Sequence, residues 1–208
     1  MNMYDISWPI SLAMTAYKDK KIVAIEHTKV FERDQVRESV IRLGAHSGTH
    51  IDAPAHFMRD GTTVEQIPLD ATLGHCVVVD CMHVQERIEQ MHVESLALEP
   101  GSIVLFKTTN SLLEPTAEFN YNFVYLASSA ADYLAQHHVK TVGIDYLGIE
   151  RMQPDHATHS TLMQHGITII EGLRLAAIQP GHYVLVCLPL LIPGIEAAPA
   201  RALLLAKD

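Results

Sequence analysis

The chain has 208 residues, of which 48% are hydrophobic and 19% are charged. That length is ample for a sizeable core, and we expect a single domain over residues 1–208. The formal net charge of −9 argues against a partner that is nucleic acid or an anionic membrane, because the basic residues are scattered and form no cluster. A small-molecule substrate is the expected partner.

Cysteine use and hydropathy indicate a cytoplasmic protein. The first 17 residues lack a basic region followed by an apolar run, so they do not resemble a signal peptide. No stretch approaches the roughly 20 apolar residues that a membrane span needs. Cys76, Cys81 and Cys187 lie within apolar runs, which predicts buried free thiols rather than a disulfide or a cysteine metal site.

Short β-rich runs predict most of the secondary structure. The predicted strands cover residues 22–25, 36–43, 75–80, 102–106, 123–126, 141–144, 167–170 and 183–188. Helices are predicted over residues 86–91, 128–138 and 160–164, the last closed by Gly166. Strands interrupted by few helices favour a mixed α/β sheet over a strictly alternating doubly wound one, and the pattern does not give the strand order.

A dense group of potential metal ligands lies between residues 46 and 56. His46, His50, Asp52 and His56 all occupy even positions. Side chains alternate between the two faces of an extended chain, so these four can project to one side, whereas a helix would separate them. The glycine and the proline within the segment also disfavour a helix. We expect a loop and strand in which Pro54 ends the regular pairing just before His56.

These residue types are the ones that bind zinc, manganese or iron. Neutral imidazole and carboxylate are accepted by all three metals, and a carboxylate has two oxygens with which to bridge two ions. A single histidine would favour a surface or hydrogen-bonded core role. Four such residues at compatible spacing, with the small residues Gly48 and Ala53 among them, favour a metal site instead.

The same segment, HSGTHIDAPAH, resembles the H-x-G-T-H-x-D-x-P-x-H signature of the cyclase family, which includes bacterial kynurenine formamidases and isatin hydrolase. The likeness continues in residues 4–11, 142–145 and 196–201, so it extends over nearly the whole chain. It implies a compact single-domain α/β fold, a β/β/α arrangement with mixed sheets. It also implies a homodimer or higher homo-oligomer with substrate pockets near the subunit boundary.

The resemblance further implies a role for each ligand-type residue of the segment. His46, His50 and Asp52 are expected to hold one metal ion, with Asp52 bridging to a second. His56 is expected to be the catalytic acid/base, held above the metals rather than among their ligands.

Ligands for a second ion are expected in residues 158–173, which resemble the family's second ligand segment. There a histidine before a short helix and a glutamate at the end of the next strand hold the other ion, and the step from His159 to Glu171 fits. His156 does not match the motif, and His165 falls in the last turn of the predicted helix, where an imidazole has an ordinary structural role. We place His159 ahead of both. The four apolar or β-branched residues before Glu171 favour an inward-facing carboxylate.

Together these residues predict a divalent-metal-dependent hydrolase with two ions per subunit, zinc first and manganese as the alternative. A metal lowers the pKa of bound water to about 7, so a metal-activated hydroxide could attack an amide or formamide carbonyl while His56 moves a proton to the leaving nitrogen. The resemblance suggests an arylformamidase that converts N-formyl-L-kynurenine to L-kynurenine and formate.

The segment after the opening strand departs from the formamidase pattern. Formamidases have a Met-Pro-x-Tyr-Pro-Gly type of turn there, whereas residues 14–20 read MTAYKDK and lack the prolines and the aromatic group that follows the turn. Two alternatives stay open: an isatin-type cyclic amide or lactone hydrolase of the same family, and a non-catalytic metal- or ligand-binding protein. An unligated His56 beside a complete ligand set favours catalysis. Trp8 is expected to be a packing residue.

Overall fold

The computed structural model of the chain describes residues 2–206. The strands are β1 (Asn2–Asp5), β2 (Ala24–Lys29), β3 (Glu38–Arg42), β4 (His50–Asp52), β5 (Leu73–Asp80), β6 (Arg87–Ile88), β7 (Ile103–Lys107), β8 (Tyr125–Leu126), β9 (Thr141–Ile144), β10 (Thr168–Glu171), β11 (Gly181–Pro189) and β12 (Ala197–Ala206). The α-helices are α1 (Phe31–Asp34), α2 (Gln90–Val93), α3 (Ser128–Gln136) and α4 (Ala157–Gln164).

Seven strands form a mixed, barrel-like sheet in the order β12-β11-β5-β7-β9-β10-β4, and β4 pairs back to β12 to close it. The run β5-β7-β9-β10 is parallel, and the other pairings are antiparallel. β1 is added antiparallel to β12. The predicted mixed α/β sheet is confirmed, and closure leaves β4 hydrogen-bonded on both sides.

Alternation along the strands separates the two largest hydrophobic clusters, one on each face of the sheet. Ile103 and Leu105 of β7 belong to an inner cluster together with Ile51 of β4 and Ile170 of β10. Val104 of β7 belongs instead to an outer cluster, where the sheet packs against α3 and α4. Burying each such side chain stabilises the fold by about 1.5–3 kcal/mol. The strands of the parallel run are therefore apolar on both faces, as strands covered on both sides must be.

The helices cover the outer face through small and aliphatic residues. Ala130, Ala131 and Leu134 of α3 are fully buried and recur at helical spacing. α4 lies beside α3 and ends before Gly166, whose φ of +69° is favourable for glycine and is the predicted cap. His159 lies in the first turn of α4, where its side chain is buried.

Several predicted elements need correction. Residues 86–91 are not one helix: they contain the short strand β6 and the start of α2, because a capping box at Glu89 starts the helix only at Gln90. α4 begins three residues earlier than predicted, at Ala157. β12 was missed by composition because it is rich in alanine, a residue with low strand propensity. The eight strands predicted from composition are all present, with ends that differ from the prediction by a few residues.

The predictions for cysteine and tryptophan are confirmed. Cys76, Cys81 and Cys187 are free and buried, and burial raises the pKa of each thiol to about 12. Trp8 is 2% exposed and packs edge-on against Tyr146. No helix within residues 2–206 is long and apolar enough to cross a membrane.

A two-stranded sheet of β2 and β3 stands apart from the barrel. Almost all of its residues are exposed, and among them are large apolar side chains such as Ile25, Val40 and Ile41. The helical turn between the strands exposes Phe31 as well. We refer to residues 22–42 as the arm.

Candidate metal centre

The two strands at the barrel closure bring three candidate ligands together. In the antiparallel pairing of β4 with β10, His50 lies opposite Glu171 and Asp52 lies opposite Ile169. The Nε2 atom of His50 is 3.3 Å from Oε2 of Glu171 and 3.5 Å from Oδ1 of Asp52. All three side chains are buried. The predicted alternation thus holds for His50 and Asp52, which share the outer face while Ile51 points inward.

The residues before β4 allow this close approach. Gly48 has a φ of +64°, and a Cβ on it would lie 2.8 Å from the Trp8 carbonyl oxygen. A Cβ on Gly172 would lie 2.4 Å from the Gly48 carbonyl oxygen. Between them, the Thr49 hydroxyl accepts the Trp8 amide N–H and donates to the Gly172 carbonyl. Glycine and threonine therefore join the two ligand-bearing segments directly.

His46 approaches the same carboxylate from the turn before β4. Its Nδ1 is 3.0 Å from Oδ1 of Asp52, and its Nε2 is 3.4 Å from Oε1 of Glu196. The side chain is 29% exposed, so His46 lies at the boundary between the buried cluster and the pocket described below. The sequence pattern did not single out Glu196 as a neighbour.

His159 enters from α4, on the opposite side of Asp52. Its Nε2 is 3.4 Å from Oε1 of Glu171 and 3.7 Å from Oδ2 of Asp52. The two competing histidines lie elsewhere: His156 is exposed and faces Glu150, and His165 is exposed beyond the end of α4. The preference for His159 agrees with these positions.

His56 lies just beyond β4, in the 3-10 turn Pro54–His56 that the proline starts. Its ring centroid is 4.3 Å from that of His46 and 6.0 Å from that of His159. One ring nitrogen lies within 4.8 Å of candidate ligand atoms of His46 and Asp52. His56 is therefore adjacent to the cluster, at a distance that suits either a proton carrier or a further ligand.

Unpartnered polar atoms show what the cluster requires. Within residues 2–206, six buried side-chain atoms lack a hydrogen-bond partner, and five belong to the four residues His46, His50, Asp52 and His159. Each such atom in a folded protein costs about 1–3 kcal/mol and calls for an explanation. The Nδ1 of His50 donates to the Gly48 carbonyl, which leaves the Nε2 lone pair for a metal. The residues fit a divalent cation.

The carboxylate of Asp52 is common to two groups of ligand atoms. One group is His46, Asp52 and His56, and the other is His50, Asp52 and Glu171, each with its atoms within 4.8 Å of one another. A carboxylate can bridge two ions through its two oxygens. The shared aspartate therefore gives the site room for two cations.

The charges of the cluster are strongly coupled. Burial alone would raise the pKa of Asp52, but contacts with His159 and His46 hold it well below its usual range. Burial and the Asp52 charge raise the pKa of Glu171, yet His159 and His50 lower it to about 2. Burial lowers the pKa of His50, and Glu171 and Asp52 overcome this to raise it to about 9. The carboxylates thus favour positive charge at the centre of the cluster.

A cavity of about 710 Å³ opens onto the cluster. His46, His56, His159 and Glu171 line its inner end. Its aromatic wall comprises Tyr17, Phe57, Phe119, Tyr121 and Phe123. Charged or polar side chains also line it, among them the exposed Lys18 and His156. This volume is in the range of small-molecule sites.

The sequence pattern missed the aromatic wall. Phe119 and Phe123 come from the segment between β7 and β8, more than sixty positions from the motif, and pack with Tyr146 at ring distances of 5.4 and 4.8 Å. Tyr17 packs edge-on against Phe119 at 5.1 Å. Tyr17 therefore places an aromatic ring beside the pocket, although the turn that carries Tyr17 lacks the prolines of the formamidase pattern. The spacing F-N-Y-N-F was the available signal.

Comparison with known proteins places this geometry in a family. The Cyclase family model, described as "Putative cyclase", matches residues 4–151. A solved structure described as a potential metal-dependent hydrolase with cyclase activity is 42% identical, with a TM-score of 0.90, and the alignment covers 100% of this chain and 98% of that one. A predicted metal-dependent hydrolase from Bacillus stearothermophilus is 43% identical, with a TM-score of 0.88 and coverage of 98% and 97%.

An isatin hydrolase bound to the product analogue thioisatinate is 18% identical, with a TM-score of 0.88 over 99% of this chain and 92% of that one. At that identity the likeness shows the fold alone. The family match and the two relatives above 40% identity go further. The chain therefore belongs to the cyclase family, the family that its H-x-G-T-H-x-D-x-P-x-H segment resembles.

Proposed function

We propose that the chain is a divalent-metal-dependent hydrolase that cleaves an amide or formamide C–N bond next to an aromatic ring, with N-formyl-L-kynurenine as the first candidate substrate. The observation that carries the proposal is the meeting of three unpartnered atoms, Nε2 of His50 and both carboxylate oxygens of Asp52, beside the inner end of an aromatic-walled pocket. Two relatives above 40% identity described as metal-dependent hydrolases support it.

In this proposal, which takes its ligand sets from the family resemblance, His46, His50 and Asp52 hold one ion, and Asp52, His159 and Glu171 hold a second. By distance alone, His50 groups with Asp52 and Glu171. Zinc is the first candidate and manganese the alternative, because both accept imidazole and carboxylate. A bound divalent cation polarises a carbonyl oxygen and lowers the pKa of a water molecule to about 7. Burial of the cluster strengthens these electrostatic effects because little water screens them.

His56 is the residue we propose to move protons. It lies next to His46 at the inner end of the pocket and within reach of a substrate that enters along the aromatic wall. An imidazole there can take the proton from the attacking water and give it to the leaving nitrogen, so that water and amide become acid and amine. General acid–base catalysis of this kind contributes about 10²–10⁴-fold.

The aromatic wall supports an aryl substrate. Tyr17, Phe57, Phe119 and Phe123 present ring faces and edges around the route to the cluster. Offset and edge-on ring contacts are worth about 0.5–1.5 kcal/mol each beyond the burial of area. An aryl ring held there would bring an attached carbonyl carbon toward His56 and the metal ligands.

The first experiment tests whether His56 carries a proton or binds a metal ion. His56→Ala should retain the wild-type metal content and lose activity by about 10²-fold or more, measured by formate release and elemental analysis on the same preparation. His165→Ala, an exposed histidine beyond α4, is the matched control and should leave both unchanged. Loss of metal from His56→Ala would make His56 a ligand, and full activity would remove it from the mechanism.

A second candidate substrate class is the isatin type of cyclic amide. The observation that favours it is the structural likeness to an isatin hydrolase that holds a product analogue, since isatin and N-formylkynurenine share an aryl–N–C=O unit. Formanilide, N-formyl-L-kynurenine, isatin and simple lactones, assayed with zinc or manganese, discriminate the classes. Stoichiometric metal without hydrolysis of any of them would favour a non-catalytic binding protein.

Lys18 supports the formylkynurenine assignment over a small cyclic amide. It lies at the rim of the pocket, with its Nζ 5.2 Å from the centre of the Tyr17 ring, where it can meet the carboxylate of an amino-acid substrate. Lys18→Ala should raise the KM for N-formyl-L-kynurenine about tenfold and leave that for formanilide, which has no carboxylate, unchanged. Lys20→Ala is the control. Equal effects on both substrates would remove Lys18 as a carboxylate contact.

We also propose that the protein is a homodimer or higher homo-oligomer that associates through the arm, residues 22–42. A two-stranded sheet is marginally stable by itself, and this one exposes Phe31, Val40 and Ile41 by 51–59%. A second copy would cover that apolar surface. Ile41→Asp should shift the mass measured by light scattering toward the monomer, and an unchanged mass would exclude this face.

A further inference from the structure

The loop after β9 contacts two of the proposed metal ligands at once. The Ile149 amide N–H donates to Oε1 of Glu171 at 2.6 Å. The next residue, Glu150, is 6% exposed and directs its carboxylate at His159. Adjacent residues of one loop thus hold the two ligands that belong to the second ion alone.

The contact with His159 is made on the ring edge that faces away from the metal cluster. Oε2 of Glu150 is 3.2 Å from Nδ1 of His159 and accepts the His159 backbone N–H at 3.1 Å. Nε2 of the same ring faces Glu171 and Asp52. The ring therefore lies between one carboxylate on the Nδ1 side and two on the Nε2 side.

This arrangement suits a ring that binds a metal through Nε2. A neutral imidazole carries one proton, so a ring that presents its Nε2 lone pair to a metal carries that proton on Nδ1, where the Glu150 carboxylate favours it. The Nδ1 contact has the distance of a hydrogen bond but not its angle, since Nδ1 is among the unpartnered atoms. The Glu150 carboxylate thus acts on the His159 ring through its charge and through the hydrogen bond that it accepts from the His159 backbone N–H.

Two further features hold the pair in place. The Phe57 ring packs against His159 at 4.4 Å and against His156 at 4.6 Å. His156 donates from Nδ1 to the other oxygen of Glu150, and the backbone at Asp155 and His156 adopts positive φ values of 54° and 49° to bring that ring back. Non-glycine residues in this region cost free energy, and such residues cluster at functional sites.

Within residues 2–206, the Glu150 carboxylate forms no ion pair with a lysine or an arginine. Within the part of the chain that the structure describes, its ion pairs are with His156 and His159 only. A buried carboxylate kept for stability would be expected beside lysine, arginine or several neutral donors. The partners of Glu150 are instead two imidazoles, and one of them belongs to the proposed ligand His159. We therefore connect this carboxylate with the metal site.

We propose that Glu150 is a positioning residue for the second metal ion: it holds the tautomer and orientation of His159 that present Nε2 to Asp52 and Glu171, while His156 only covers the carboxylate from the pocket side. The inference rests on the proposed metal site. Replacing such a carboxylate typically costs 10–100-fold in metal affinity.

Metal affinity, not activity, tests this role. Zinc or manganese is titrated into the chelator-treated protein against a chromophoric chelator, and the affinities of the two ions are fitted separately. Glu150→Gln should weaken one ion by 10–100-fold and leave the other within threefold. Glu150→Asp, which keeps the charge, should recover part of the loss and serves as the second variant should the amide not fold. His156→Ala should change neither affinity by more than threefold.

A double-mutant comparison excludes a general structural effect. His159→Ala should abolish binding of the second ion, and adding Glu150→Gln to it should not change the affinity of the remaining ion. Wild-type affinities in Glu150→Gln, a loss in His156→Ala as large as in Glu150→Gln, or a further loss in the double variant would each overturn the proposal. A wild-type protein that binds neither metal would overturn the proposed function as well, so the two failures are distinguishable.

Discussion

Two aspartates are buried to the same degree and surrounded differently. Asp145, after β9, is fully buried, and Asp52, in β4, is 2% exposed. Asp145 accepts hydrogen bonds from the amides and hydroxyls of Thr108 and Ser111, at 2.6–3.2 Å. Neither oxygen of Asp52 has a hydrogen-bond partner. Burial therefore does not distinguish the two aspartates, whereas their hydrogen-bond partners do.

The pKa values of the two carboxyls respond in opposite directions. Burial raises the pKa of Asp145, because the neutral donors around it stabilise the charge only in part. Burial would do the same to Asp52, but the histidines around it lower its pKa well below the usual range. A carboxylate satisfied by neutral donors is part of the architecture, whereas one that faces only imidazoles has a place for a cation.

The largest expected effect is on the unpartnered aspartate. Asp52→Asn keeps the shape of the side chain but removes the charge shared by both ligand groups, so activity should fall by roughly a thousandfold or more. Metal content measured by elemental analysis should fall with it. The denaturation midpoint of the metal-free protein should change less than in the Asp145 variant below. A variant with normal metal content would contradict the assigned ligands.

The second effect is on stability. Asp145→Ala leaves the donors of Thr108 and Ser111 buried without an acceptor, so the free energy of unfolding should fall by about 3 kcal/mol or more. Because the pKa of Asp145 is raised in the folded state, the wild-type advantage should grow as the pH falls through that raised value toward the unfolded value. Urea titration at several pH values measures both.

The control for that prediction is metal binding. Metal affinity per folded molecule should match the wild type in Asp145→Ala, since Asp145 contacts no proposed ligand. A loss of metal as large as that of Asp52→Asn, without a loss of stability, would reverse the roles given to the two carboxylates.

A third effect is smaller and concerns the metal itself. At a free metal concentration about 100 times the Kd, binding should stabilise the fold by about 2.7 kcal/mol, or a Tm increase of about 5–10 °C for a chain of this length. A chelator should reverse the shift. Asp145→Ala should show the same increase from its lower starting point, and Asp52→Asn should show almost none. Equal increases in the two variants would place the metal elsewhere.

The smallest effect is expected at an exposed carboxylate. Asp5 pairs with Arg201 on the surface, and the hydrogen bond to Arg201 lowers its pKa. The pair should therefore stabilise the fold above the usual aspartate pKa and lose that contribution as the pH falls through the lowered value. Solvent screening makes the contribution small. Asp5→Asn should shift the urea midpoint at neutral pH by no more than the experimental error.

The positions of the candidate ligands were predictable from local pattern and resemblance, whereas for the fold the class was predictable and the strand order was not. His50 and Asp52 were predictable because strand alternation is local and a proline ends the strand two residues later. His159 and Glu171 were predictable from the resemblance together with the helix-to-strand spacing. The position of each agrees with the prediction, while their roles as ligands stay predictions until metal is measured.

The parts that were missed depend on contacts between distant segments. Nothing local indicates that Glu150 faces His159, because a turn with left-handed residues lies between them. The aromatic wall brings Phe119 beside Tyr17, about a hundred positions earlier in the chain. The strand order likewise follows from pairings that the composition of one strand cannot specify.

The double pairing of β4 has a consequence for folding. Its three residues join β10 on one side and β12 on the other, and the Thr49 to Gly172 hydrogen bond spans 123 positions of sequence. Contacts of such range are slow to form. Asp52 of β4 and Glu171 of β10, both proposed ligands of the second ion, lie on the two strands of this seam, so that ion would link β4 to β10 where the barrel closes.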